Sequence, residues 1–174
     1  GHSAGMQQGD LQAVIAMARM RLVYPGFDGA LTVFRPRKNI VAIMATFEQT
    51  DHVGRLWPHT HTLLMSSADY QEWGANPFVL SKSGILNGQS EPGGRLLQLR
   101  IDKTPQPEVY MPAPLEKTFE RDLFIWSISA ALLHERAIIL SDTRYDALFE
   151  DCLLALPLED RAALTFSTCV MHPE

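Results

Sequence analysis

The sequence predicts an α/β fold, with α+β as the alternative: a mixed β-sheet with an early hairpin, helices packed on it and one long helix in the C-terminal third. Three observations lead there. Two apolar, strand-like runs, Leu31–Phe34 and Ile40–Phe47, lie close together near the start. A long stretch with apolar residues at helical spacing fills the region from Leu115 to Glu135. Between and after them, strand-like and helix-like segments interleave, which is the pattern of helices laid on a sheet.

The first element is a helix over Asp10–Leu22. Leu11, Val14, Ile15, Ala18 and Leu22 make one apolar face, and Asp10 is suited to accept from an orphan N–H as N-cap. Tyr24–Gly29, rich in Pro and Gly, is a turn cluster. The runs Leu31–Phe34 and Ile40–Phe47 then form a hairpin, with Arg35–Asn39 as its loop. Ile40, Val41, Ile43, Met44 and Phe47 are apolar on both faces, as in a central strand covered on both sides. Glu48–Pro58 reads as polar and irregular. Thr60–Met65 is a third strand. Ser66 or Ser67 caps a short helix over Ala68–Trp73, which Gly74 ends. Asn76–Leu80 is an apolar segment after an Asn-Pro turn, and Ser81–Gly94 is a loop.

Arg95–Ile101 alternates as a strand, with Leu97, Leu99 and Ile101 on one face. Lys103–Pro114 holds Pro105, Pro107, Pro112 and Pro114, which marks an extended connector. The long helix Leu115–Glu135 is expected to bury Leu115, Phe119, Leu123, Trp126, Ala130 and Leu133. Phe124, Ile125, Ile128 and Leu132 widen that surface, so contacts on two sides are expected. Ala137–Leu140 is a short strand. Asp142 or Thr143 caps a second helix with Tyr145, Leu148, Phe149, Cys152, Leu153 and Leu156 as its stripe, ended by Pro157. Leu158–Ala163 adds a turn of helix, and Leu164–Val170 is a last strand.

With 174 residues, 46% of them hydrophobic and 20% charged, the chain can bury a sizeable core and is not of the disordered class. Gly1–Gly5 spells G-x-S-x-G, but that elbow needs a strand to deliver its serine. Residues 1–5 are therefore expected to be an expression remnant, and 6–174 a single globular domain. Because the last strand lies almost at the chain end, that domain is expected to be a fragment of a larger protein. The net charge of −5 and the scattered basic residues disfavour nucleic acid as partner. No apolar run is long enough for a membrane helix and no secretory signal is visible, so a cytoplasmic location is expected. Cys152 and Cys169 sit in apolar segments and read as buried free thiols.

Residues that could carry chemistry concentrate around Asp51, His52, Arg55, His59 and His61. The His-x-His spacing puts two imidazoles on one strand face. With a carboxylate such as Asp51 or Glu48 as third ligand, His59 and His61 could hold a metal, although two histidines do not specify one. The bland alternative is local hydrogen bonding at a strand edge. Trp57, Tyr70 and Trp73 are either an aromatic partner patch or core. His134-Glu135-Arg136 is read as complementing the negative end of the long helix. Cys169 is assigned a structural place on its strand. No phosphate-binding loop and no dinucleotide fingerprint occur, and no cofactor is expected.

Several of these residues carry a resemblance. Thr46–Arg55, then His59-Thr60-His61-Thr62-Leu63-Leu64, Asp69-Tyr70 and Asn76-Pro77-Phe78 resemble the bacterial GTPase-associated protein one family. Leu156-Pro157, Arg161 and Leu164–Thr168 are similar to its ending, with Thr165 where a serine is expected. The resemblance implies an adaptor acting beside a GTPase in conflict or signalling systems, with no established catalytic residues to carry over. Arg55, Thr60, His61 and Phe166–Thr168 come across as pattern positions only. The resulting expectation is a non-enzymatic interaction domain whose partner is another protein, a GTPase or ATPase subunit. Arg55, Trp57, His59, His61, Tyr70 and Trp73 would be the partner-binding set. The alternative is a metal-dependent hydrolase or small-ligand domain using Asp51, His59 and His61.

Overall fold

The computed structural model describes residues 7–19, 30–50, 52–86, 118–135, 137, 139 and 145–168. Its elements are α1 (Gln8–Arg19), β1 (Ala30–Arg37), β2 (Ile40–Thr50), β3 (Leu56–Ser66), α2 (Ser67–Glu72), α3 (Pro77–Lys82), α4 (Thr118–Leu132), α5 (Asp146–Ala155), α6 (Leu158–Ala163) and β4 (Phe166–Ser167). The α/β expectation, with its early hairpin and helices on a sheet, is met. The described strands run in the order β3-β2-β1-β4 and pair antiparallel throughout.

β2 is the spine. Its residues Ala42–Ala45 are wholly buried, and the period of two divides them between the two faces of the sheet. Val41, Ile43 and Ala45 join Leu31 and Val33 of β1 under Tyr70, Trp73, Phe78, Leu80, Leu153 and Ala162. Ala42 and Met44 join Phe34 on the other face, where Ala13, Val14, Met17 and Ala18 of α1 cover them. A strand apolar on both faces thus has a helix layer on each, as its sequence requires. A third, smaller cluster packs α4 on α5 through Leu123, Leu148 and Cys152.

The hairpin is longer and tighter than its sequence suggests. Strand conformation continues through Arg35–Arg37, with a register irregularity between Phe34 and Arg37 before Arg37 pairs with Ile40, leaving Lys38-Asn39 as the turn. Pro36 sits at that irregularity, where a missing N–H costs no ladder bond. Glu48–Pro58 is likewise mostly strand: Glu48 pairs with Pro58, Gln49 with Trp57 and Thr50 with Leu56. Its polar composition marks the outer end of a two-stranded arm, not a loop. Asp10 is not the N-cap of α1. It lies in the first turn, buried, in an ion pair of 3.1 Å with Arg37. The Asn-Pro segment becomes α3, because the Asn76 side chain caps Phe78 N–H at 3.0 Å and Pro77 is pre-set for N1.

α4 covers Thr118–Leu132, stopping short of the expected Glu135, and β4 covers Phe166–Ser167, starting later than the expected Leu164; the outer parts of the expected helix Leu115–Glu135 and strand Leu164–Val170, residues 115–117 and 169–170, lie outside the described residues. Ala137 and Ile139 belong to no strand. The turn Tyr24–Gly29, the strand Arg95–Ile101, the connector Lys103–Pro114, the caps Asp142 and Thr143, residues 1–5, Asp51 and Cys169 lie outside the described residues.

Candidate functional site

The β2–β3 arm carries most of the polar residues singled out by sequence. Its tip, His52–Arg55, is exposed, and Gly54 turns it at φ +83°, a region in which glycine has no Cβ penalty. His59 is registered with Phe47, and His61 with Ala45. Both imidazoles therefore lie on the face that carries Leu63 and Met65 into the main core. The i, i+2 prediction holds: one strand face presents both rings. His61 is half-buried, and its Nδ1 has no hydrogen-bond partner among the described residues. Burial first, and the neighbouring His59 second, push its pKa below the ordinary histidine value. Among the described residues no group of three His, Cys, Asp or Glu side chains is placed to hold a metal ion. Asp51 lies outside the described residues, as does the side chain of Trp57.

Tyr70 and Trp73 are not a partner patch. Both are buried in the main core, because α2 turns its Tyr70–Trp73 side onto the sheet. The Tyr70 hydroxyl donates to Ala75 O at 3.1 Å, and burial drives its pKa well above the ordinary tyrosine value. That bond helps hold Ala75 at φ +50°, next to Gly74 at φ +70°. Several other polar residues also turn out to be fasteners. The Arg161 guanidinium donates to Gly74 O, Leu154 O and Leu156 O, each at 2.9 Å. It thereby ties α6 to the turn after α2 and to the end of α5. Arg35 donates to Lys38 O, Ser67 Oγ and Ala162 O. Asn76 Nδ2 reaches Glu150, which also pairs with Lys82. Thr168 Oγ1 accepts from Leu31 N–H at 3.0 Å, and Ser167 bonds Thr32 at 2.9 Å. These contacts explain Arg161 and Ser167-Thr168 as fold-making positions.

Cys152 faces Phe124 O at 3.9 Å inside the α4–α5 contact, and burial pushes its thiol up to about 12. A thiol so far from ionising is a poor nucleophile. A cleft of about 360 Å³ lies between the end of α4 and α6, lined in part by His134, Glu135, Asp160 and Thr165. His134 closes α4 through its backbone. At φ +55° it lets Glu135 N–H reach Ala130 O at 2.9 Å, the Schellman arrangement. The expected charge complement is not found in the last turn of α4, which holds no basic residue; a main-chain cap closes this helix end.

The largest departure from sequence expectation lies on α4. The predicted buried stripe splits in two. Leu123 and Ala130 are buried, whereas Phe119, Trp126 and Leu133 are exposed to 60, 46 and 66%. Ile125 and Leu132 are exposed beside them, at 56 and 48%. At 100° per residue these side chains flank one line through Asp122 and Ser129. Ile125, Trp126, Leu132 and Leu133 thus turn large apolar side chains away from the α5 contact, while Phe119 lies at its edge, its ring 6.1 Å from that of Tyr145. The exposed apolar face is what sequence reasoning missed. The signal was present: apolar residues spread over more than half of the helix circumference, more than one neighbouring helix can cover.

Comparisons of the chain with protein-family models, with curated proteins and with solved structures found no match.

Proposed function

We propose that this chain is a non-enzymatic protein-interaction domain, an adaptor of a bacterial GTPase-associated or conflict-type signalling system working in the cytoplasm. The observation that carries the reading is the exposed apolar row on α4. Clustered large apolar side chains in water mark a surface that another protein covers. Among the described residues no helix is long and apolar enough to cross a membrane, so insertion of α4 as a spanning helix does not account for it. Arg35, Tyr70, Asn76 and Arg161 are occupied with carbonyls and caps, as expected of a scaffold. The resemblance of Thr46–Thr168 to GTPase-associated proteins suggests a GTPase or ATPase subunit as the partner. The exposed arm tip, with Arg55, is a second surface available to it.

The test is affinity capture from the native host with quantitative mass spectrometry, comparing the chain with a Trp126→Glu, Leu133→Glu variant and with Arg55→Glu. The reading expects at least one captured protein to be lost with the α4 variant. A variant that retains everything the parent captures would sink it.

A second reading, a metal-dependent hydrolase or small-ligand domain, is favoured by one observation: His59 and His61 share a face, and His61 Nδ1 has no partner among the described residues. Asp51 would complete the set. Elemental analysis of tag-free protein decides it. A real site should give close to one metal per chain and couple it to stability.

A further inference from the structure

We draw no further inference here: the strongest candidate, the exposed apolar face of α4 built by Ile125, Trp126, Leu132 and Leu133, is the surface already described, and nothing in the structure shows what covers it.

Discussion

Replacing Arg161 by Met keeps most of the aliphatic stem and deletes the fork that joins α6 to two other elements. Three carbonyls, of Gly74, Leu154 and Leu156, lose their donor at once. A hydrogen bond to a charged group contributes roughly 1.5–3 kcal/mol, so three taken separately would sum to about 4.5–9. Two effects reduce that sum. Burial is the main cause depressing the arginine's own pKa, so deleting the charge recovers its desolvation cost. The side chain is also only half-buried, and water can reach part of the vacated site. The expected loss is about 2–4 kcal/mol, or a fall of about 1–2 M in the urea midpoint at a slope near 2 kcal/mol/M. Arg161→Lys should recover less than half, because an ammonium cannot span three carbonyls in a fixed fork. Urea unfolding followed by circular dichroism reads this. A loss under about 1 kcal/mol for Arg161→Met would refute the assignment of Arg161 as a fastener.

Other expectations follow from the same contacts. Asn76→Ala removes the α3 cap and a bond to Glu150, and should cost about 1–3 kcal/mol in the same unfolding assay. His61 has a folded pKa below its unfolded value, so the unfolded chain takes up the proton first as pH falls. Stability should therefore be full above the ordinary value of 6.5, decline as pH drops below it, and level off beneath the depressed pKa. His61→Gln should flatten that stretch of a thermal-melt series against pH. Cys152, with its thiol pushed up to about 12, should resist iodoacetamide at pH 8 in the folded chain and react once the chain is unfolded. Peptide-resolved mass spectrometry reads this, and equal labelling in both states would contradict its burial.

Much of the sheet was legible because β2 is apolar on both faces from Ile40 to Ala45, and no surface strand would be written so. The cap of α2 was legible for a similar reason: Ser66 accepts from Asp69 N–H at 3.0 Å, as a serine before an apolar turn suggests. The outer half of the β2–β3 arm was not. Glu48, Gln49 and Thr50 carry no core pattern, and their strand conformation comes from pairing with residues six to ten positions further along. Asp10 was misplaced because the carboxylate that suits a cap also suits an ion pair with Arg37, and local sequence cannot see Arg37. On α4, periodicity located the helix but not which apolar side meets α5. That depends on Leu148 and Cys152, on a different element. In the candidate site, sequence brought His59 and His61 together and misread Tyr70 and Trp73. Aromatic residues look alike in sequence whether they face the core or water.

Hydroxyl-radical footprinting of the unmodified chain addresses the α4 face without any substitution. Phe119, Trp126 and Leu133 should oxidise readily in purified protein and become protected in host extract. Val53, exposed to 61% at the arm tip, provides the internal reference on a different surface. Unchanged oxidation of all three α4 residues in every condition, relative to Val53, would contradict the assignment of α4 as the surface through which this chain meets another protein.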